Sequence, residues 1–428
     1  MNVTSSFIRT IILTHTLLNI CILLIKKTRT QGSSILLALT NLVFICIPLE
    51  NLISGTKKSR LSLIGFAGVS DEVKLIQAAS IIGISFAAFT LGNVIVGLKT
   101  INHEKYRLIK HIDDQSLELR IWKMLGLLGL LGYFLGIYIG LGVNSRASYG
   151  QGIPTFLLHS WMIAPAIAVM NNHWNKKKYI FFSIIQLLLL LGISGARSSL
   201  TLISIAFFII LIKKMESSGN KLKLITISIV LTYITLLALQ FIPLARSNIR
   251  FGNFNWTNYS TIAAHPFENI TQIGGFDSLE GAILALNVDR SLVNANLLDP
   301  LKAFTTFVPR QIWDSKPEFL GPQLTQRYSM VRGNAGLVIS GAAYTYLITD
   351  TFIAVIIIFL ALGLCNAKFA SSERSIIYRL FLLHFSVRFY IGGDSFDLFF
   401  VLQDLLLYKI ARGIVKNDKK LKSLITGI

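Results

Sequence analysis

The stretch LIQAASIIGISFAAFTLGNVIVGL, residues 75–98, contains no Asp, Glu, Lys or Arg. An α-helix rises about 1.5 Å per residue, so about 20 apolar residues are enough to cross the ~30 Å hydrocarbon layer of a bilayer. Similar uncharged runs recur at residues 124–144, 179–196, 198–212 and 224–245. A soluble domain does not need so many runs of this length. The pattern therefore predicts an all-α polytopic membrane protein.

Apolar runs separated by polar loops predict about eleven transmembrane helices. We place them at residues 8–25, 33–52, 74–98, 122–142, 154–171, 178–195, 199–212, 224–243, 345–366, 376–392 and 395–411. The chain then divides into residues 1–243 with helices 1–8, a large loop over residues 244–344, and residues 345–428 with helices 9–11 and a basic tail. A loop of this length in a compact protein is expected to form short helices of its own. The apolar spacing between Leu279 and Leu286 predicts an amphipathic helix there.

The placement of the positive charge favours a membrane orientation over nucleic-acid binding. The net charge is +20, but charged residues make up only 14% of the chain, so a separate large soluble domain is not expected. Most basic residues fall in loops on one side of the predicted helices: 26–29, 99–123, 176–178, 213–223 and 412–422. The positive-inside rule assigns this side to the cytoplasm, although Lys57, Lys58 and Arg60 fall on the other side. The large loop is then extracytoplasmic.

Three motifs that bind nucleotides or metals are absent from the sequence. It has no Gly-x4-Gly-Lys-[Ser/Thr] phosphate loop and no His-Glu-x-x-His zinc motif. It also lacks an Asp-x-Asp pair of the kind that holds a divalent metal against a nucleotide-sugar diphosphate. We therefore expect neither a metal nor a cofactor.

Arginines on the predicted outer side are the main candidates for substrate binding. A guanidinium group can donate to two phosphate oxygens at once, and it stays charged at any relevant pH. The candidates are Arg146, Arg197, Arg246, Arg250, Arg310, Arg327 and Arg388. A ring of these side chains above the hydrocarbon boundary would suit a lipid diphosphate. Structural roles stay open, since Arg146 can contact lipid headgroups and Arg388 can pair with Asp404 or Asp394.

The densest candidate segment is FVPRQIWDSKP, residues 307–317. Two prolines restrict its backbone. Trp313 offers a flat face of the kind that stacks on sugar rings, and Arg310 and Lys316 supply positive charge. A rigid surface loop with an ion pair between Arg310 and Glu318 is the structural alternative.

This segment resembles a pattern of a known family. Pro309-Arg310-x-x-Trp313-x-x-Lys316-Pro317 is similar to the Pro-Arg-x-x-Trp-x-x-Lys-Pro pattern of Wzy-type O-antigen and oligosaccharide repeat-unit polymerases. Further similar stretches are Gly275–Glu280, Gly195-Ala196-Arg197 and Gly392-Gly393-Asp394. The resemblance implies a GT-C-like, metal-independent glycosyltransferase in the bacterial inner membrane, with its active site on the periplasmic side. The donor would be an oligosaccharide on undecaprenyl diphosphate, and the acceptor would be the non-reducing end of another lipid-linked repeat unit. The resemblance also makes a chain-length regulator a candidate protein partner.

In such a reaction, residues on the predicted outer side of the membrane would have specific roles. The leaving diphosphate develops negative charge, which fixed guanidinium groups of Arg197 and Arg310 would stabilise without a metal. The attacking hydroxyl benefits from a general base. Glu280 and Asp277 are favoured for this role over the other candidates, which are His265, Glu318 and Asp394. Each of these groups can also be an ordinary loop side chain.

Two alternatives share the same donor chemistry. An O-antigen ligase would transfer the glycan to lipid A-core instead, and the Pro-Arg-x-x-Trp-x-x-Lys-Pro segment favours the polymerase. A non-enzymatic flippase or transporter for lipid-linked glycans would also bind diphosphate. It is expected to place its basic groups along a central cavity and not on one face.

Overall fold

The structure of the protein is a computed structural model, and the residues it describes are helical or lie in short connections between helices. The described residues are 9–10, 13–14, 17, 72–99, 112–138, 153–170, 177–194, 198–217, isolated positions within 226–248, 256–264, 278–288, 293, 295–305, 313, 315–320, 323–324, 339–370, 376–392 and 395–426. No strand occurs in these ranges.

We number the helices of the described ranges in chain order. They are α1 (Glu72–Lys99), α2 (Ile112–Tyr138), α3 (Ile153–Leu158), α4 (Ser160–Met170), α5 (Lys177–Ser194), α6 (Ser198–Ser217), α7 (Trp256–Ala264), α8 (Ser278–Asn287), α9 (Lys302–Thr305), α10 (Gly341–Thr349), α11 (Phe352–Ala370), α12 (Ile376–Gly392) and α13 (Ser395–Thr426). A short 3-10 helix, Asp299–Leu301, leads directly into α9.

Among the described residues, three helical segments are long and apolar enough to cross a membrane: Ile76–Val96, Leu117–Tyr138 and Ile153–Met170. Shorter apolar segments are Thr201–Leu211, Phe352–Lys368 and Leu380–Phe389. Large apolar side chains such as Leu127 and Phe134 are exposed on the outward faces, as expected of helices that contact hydrocarbon. The prediction of a helical protein with helices apolar enough to enter a membrane is therefore confirmed. The predicted helix at 33–52 lies outside the described residues, and those at 8–25 and 224–243 are described only at isolated helical positions.

Two predicted helices are interrupted in the structure. The predicted helix 154–171 is interrupted by one residue, His159, whose carbonyl accepts from the amides of both Met162 and Ile163 at 2.9 and 3.4 Å. Pro165, inside α4, has no amide to donate. The predicted helix 345–366 starts earlier, at Gly341, so the large loop ends before residue 344. It is broken at Asp350, whose φ of 58° is left-handed and ends α10.

The last helix is longer than the predicted 395–411. Helix α13 continues to Thr426, so the predicted basic tail is largely helical. Beyond residue 411 the apolar content falls, but helical spacing persists, with Ala411 and Val415 buried and Lys409 and Lys416 exposed. The end of an apolar run therefore does not mark the end of this helix, because an amphipathic helix needs only one apolar face.

The apolar side chains of the described residues form two main cores. The larger joins α2, α3, α4, α6, α12 and α13, and its fully buried members include Ile121, Met162 and Phe381. The second joins α1, α8, α10 and α11, with Phe86 and Phe359 among its fully buried side chains. Helix α12 reaches both, because Leu380 lies in the first core and Phe389 in the second.

Glycines bring α2 close to α4. A methyl group on Gly129 would lie 2.1 Å from the indole ring of Trp161, and one on Gly132 would lie 2.6 Å from the amide nitrogen of Leu158. Trp161 Nε1 also donates to the carbonyl oxygen of Gly126 at 3.0 Å. Small residues allow this approach, as they do at many helix contacts in membranes. The contact holds the α3–α4 junction, and with it His159, against α2.

Helices α1 and α11 pack even more closely. A methyl group on Gly363 would lie 2.1 Å from the carbonyl oxygen of Phe89, and one on Gly92 would lie 2.4 Å from the carbonyl oxygen of Leu360. Beside this contact, Asn366 Nδ2 donates to Asn93 Oδ1 at 2.9 Å, and both side chains are buried. The backbones therefore touch without side chains between them.

Candidate functional site

A group of ionisable side chains lies inside the apolar helices. His384 on α12 faces Asp404 on α13, with 3.3 Å between His384 Nδ1 and Asp404 Oδ2. Both side chains are almost completely buried, with relative exposures of 0% and 1%. Ionisable groups are costly in such surroundings and are usually paired or functional. We call His159, His384, Arg388 and Asp404 the polar cluster.

Phe400 connects the other two members of the polar cluster. The Cζ atom of Arg388 lies 4.2 Å from the centre of the Phe400 ring, a cation–π contact. The His159 ring stacks on the same phenyl ring, with 4.9 Å between ring centres and 30° between planes. A cation and an imidazole from different helices therefore contact the same aromatic ring.

The polar cluster has two layers relative to the turn between α12 and α13. Arg388 lies four residues before Gly392, the last residue of α12, which places it about 6 Å from that end along the helix axis. Phe400 lies about 8 Å from the first residue of α13 along the axis of that helix. His384 and Asp404 are deeper, at about 12 and 14 Å from the same helix ends. His159 belongs to the layer nearer the turn, because it stacks on Phe400.

Several polar atoms of the cluster lack hydrogen bonds to other described residues. These are His159 Nδ1, His384 Nε2 and Asp404 Oδ1. Buried polar atoms in folded proteins nearly always bond to protein, water or ligand. A water molecule or a polar group of a substrate would therefore be stabilised at this place. No group of three described His, Cys, Asp or Glu side chains is placed to hold a metal ion.

Three side chains, Asp299, Lys302 and Tyr344, fix part of the large loop. We call them the Asp299 triad. Tyr344 donates its hydroxyl to Asp299 Oδ2 at 2.5 Å, and Lys302 forms an ion pair with Asp299 Oδ1. Asp299 is fully buried. The triad ties the 3-10 helix and α9 to α10, that is, the loop to the helix that follows it.

Two contacts bring these loop elements next to the polar cluster. Ala303 on α9 packs with Phe399 and Phe400 in a small buried apolar group. At the start of α10, a methyl group on Gly341 would lie 2.2 Å from the carbonyl oxygen of Phe389, the neighbour of Arg388. The loop therefore meets the bundle at the end where Arg388 and Phe400 lie.

We expect Tyr344→Phe to lower the free energy of unfolding by about 1–3 kcal/mol, because it removes a hydrogen bond to a buried carboxylate. Thermal unfolding of the detergent-solubilised protein measures the change. Tyr133→Phe is the matched control, since it keeps the ring contacts with Trp161 and Phe134. Equal unfolding temperatures for Tyr344→Phe and wild type would show that the triad does not stabilise the loop.

The proline-flanked segment is described in part. Trp313 is 38% exposed, and its Nε1 donates to Ser315 Oγ at 3.1 Å. The amide of Lys316 donates to the carbonyl oxygen of Trp313 at 3.2 Å, which closes a tight turn, and the Lys316 side chain is buried. Trp313 therefore presents an accessible aromatic surface, whereas Lys316 supports the turn from inside.

The structure places only some of the predicted site residues. Arg388 lies in the polar cluster, and Glu280 lies in the first turn of α8, a helix that packs against α1 and α10. Glu318 is partly buried beside Lys316. The predicted site residues that lie outside the described residues are Arg146, Arg197, Arg246, Arg250, His265, Asp277, Arg310, Arg327 and Asp394.

Neither histidine of the polar cluster is among the site residues predicted from the sequence. His159 and His384 sit inside predicted transmembrane helices, and an ionisable residue at such a place is by itself a sign of function. The sequence predicts Asp404 only as a partner of Arg388, whereas the structure places its Oδ2 3.3 Å from His384 Nδ1.

No family model, curated protein or solved structure matches the chain.

Proposed function

We propose that the protein is a glycosyltransferase that polymerises lipid-linked oligosaccharides, transferring a glycan from undecaprenyl diphosphate to the non-reducing end of another lipid-linked repeat unit. In this proposal about eleven helices span the bacterial inner membrane in a GT-C-like arrangement, with the active site on the periplasmic side. The observation that carries the proposal is Arg388. Its guanidinium is held against the Phe400 ring, on which His159 also stacks, at the end of the bundle where the loop is attached.

The proposed reaction needs positive charge at a fixed position. The bond between the anomeric carbon and the diphosphate oxygen breaks, and the diphosphate leaves with the electron pair. Arg388 would stabilise this developing charge more strongly than water does, because it is held by ring contacts in poorly hydrated surroundings. No nucleotide or metal is required for this role.

Loop residues would bind the glycan and complete the diphosphate site. Trp313 offers an exposed indole for a sugar ring. Arg197 and Arg310 are predicted to join Arg388 at the diphosphate, and Arg146, Arg246, Arg250 and Arg327 to line the approach. The Asp299 triad supports this arrangement, because it holds the loop next to Phe399 and Phe400.

The proposal is tested by a ladder assay. Purified protein is incubated with synthetic lipid-diphosphate repeat units, with and without a metal chelator, and the products are separated by size. We expect a ladder of extended glycans in both conditions. A complete absence of extended products from folded protein would contradict the proposal.

A second prediction concerns Arg197 and Arg310. Arg197→Ala or Arg310→Ala is expected to abolish chain extension, while single lipid-linked units still reach the outer leaflet, because both arginines are predicted to act on the leaving diphosphate. The measurement combines the ladder assay with accessibility of the units to an external glycan-binding probe. Loss of translocation in these variants would favour a transporter.

The transporter alternative is supported by one observation, the burial of the His384–Asp404 pair. Buried histidine and aspartate side chains within helices often carry protons in transporters. In that case, proteoliposomes without acceptor would translocate lipid-linked units in response to a pH gradient, and would make no extended glycan. Extension without a pH gradient is expected of the polymerase.

A further inference from the structure

The proposed transfer needs a group that accepts the proton of the attacking hydroxyl, and two of the described acids are poorly placed for it. Both carboxylate oxygens of Asp299 already bond to Tyr344 and Lys302. Asp404 is 1% exposed and belongs to the deeper layer of the polar cluster.

His159 is better placed than these acids. It lies in the layer of the cluster nearer the turn and keeps 7% of its surface exposed, whereas His384 is fully buried. Its Nδ1 has no hydrogen-bond partner among the described residues. It also stacks on the ring that Arg388 contacts, so the proposed proton acceptor and the proposed diphosphate-binding cation meet at one ring. An attacking hydroxyl and a leaving diphosphate need these two groups close together.

We propose that His159 is the catalytic base that accepts the proton from the acceptor hydroxyl, and that Asp404, oriented by His384, stabilises the resulting imidazolium. This inference rests on the proposed function. The acceptor oxygen bonds to the anomeric carbon as the carbon–diphosphate bond breaks. The hydroxyl proton moves to the His159 imidazole, and the electron pair of the broken bond leaves with the diphosphate. The imidazolium then returns its proton to water.

The backbone explains why His159 can play this role. It lies at the break between α3 and α4, where its carbonyl accepts two amide hydrogen bonds. Trp161, two residues later, is fixed in the close contact between α4 and α2. On the other side, Gln403 Nε2 donates to the carbonyl oxygen of Phe156 at 3.1 Å and joins α13 to α3. The imidazole is therefore held at a constant position between two helices.

The test compares two replacements of His159 in the ladder assay. His159→Ala removes the ring, whereas His159→Phe keeps a ring that can stack on Phe400 but has no nitrogen. Both are expected to lower the rate of extension about 100-fold or more, the usual contribution of a general base. Imidazole in the buffer is expected to restore part of the rate to His159→Ala, where space for it exists, but not to His159→Phe. Tyr408→Phe, on the same helix as Asp404 but bonded to Glu118, is the control.

The role of Asp404 is tested by combining variants. If Asp404 acts through His159, adding Asp404→Asn to His159→Ala lowers the rate no further, whereas a purely structural role gives losses that multiply. Multiplying losses would overturn the role of Asp404. A His159→Phe rate within about threefold of wild type, or a His159→Ala loss that imidazole does not relieve, would overturn the catalytic role of His159. These outcomes require extension by the wild-type protein, and an inactive wild type would overturn the proposed function and this inference together.

Discussion

Replacing Arg388 with methionine is expected to lower the rate of glycan extension by about 100- to 1,000-fold, the usual effect of removing one group that stabilises a developing negative charge. The fold is expected to survive, because methionine keeps much of the length of the side chain and its apolar stem suits the surroundings of Phe400. A charge inside an apolar helix is more often kept for function than for stability. Arg388→Met should therefore lower the rate of glycan extension while leaving the protein folded.

Two further variants make this test specific. Arg388→Lys keeps the charge but loses the planar fork, so an intermediate loss of rate is expected. Arg120→Ala removes an exposed arginine of α2 and should leave the rate unchanged. Rates come from the ladder assay, and the folded fraction from size-exclusion chromatography. If Arg388→Met extends glycans as fast as wild type, Arg388 does not bind the leaving diphosphate.

Replacing Gly363 with valine is expected to destabilise the protein by about 3 kcal/mol or more, because overpacking at a backbone contact cannot be relieved by a side-chain movement. The new Cβ would meet the carbonyl oxygen of Phe89 at 2.1 Å and the amide nitrogen of Asn93 at 3.2 Å. Helices α1 and α11 would have to separate, which would also break the hydrogen bond between Asn93 and Asn366. Thermal unfolding in detergent measures the loss.

Gly413→Ala is the matched control for this prediction. Gly413 also lies inside a helix, but a methyl group there would have no neighbour within 4 Å. Alanine is a better helix former than glycine by about 1 kcal/mol, so this variant should be as stable as wild type or slightly more stable. An unchanged unfolding temperature for Gly363→Val would mean that α1 and α11 are not in close contact.

The helices of the described ranges could largely be predicted from the sequence because apolar runs are long and loops are short. The breaks and ends were harder to predict. The left-handed conformation of Asp350 has no signal in hydropathy, and the continuation of α13 past Ala411 depends on a single apolar face. Hydropathy shows where a helix can contact lipid, but it does not show where backbone hydrogen bonding stops.

The candidate site was predictable only at Arg388, whose charge stands out in an apolar run. The pairing of His384 with Asp404 and the stacking of His159 on Phe400 join helices that are far apart in the sequence, and no local spacing indicates them. The same holds for Tyr344 and Asp299, which are 45 residues apart. Contacts of this kind depend on how the helices are arranged in three dimensions, and residue spacing along one helix does not report that arrangement.

Helix α13 carries Phe400 and Asp404 in its first ten residues and the exposed Lys416 about three to four turns further on, without a break between them. An uninterrupted helix resists bending, so it behaves as a stiff rod. A sideways push at Lys416 would pivot the rod as a whole and shift the phenyl ring of Phe400 at the opposite rim. Spectroscopic labels at the two ends of this rod would accordingly report one common motion and not two independent ones.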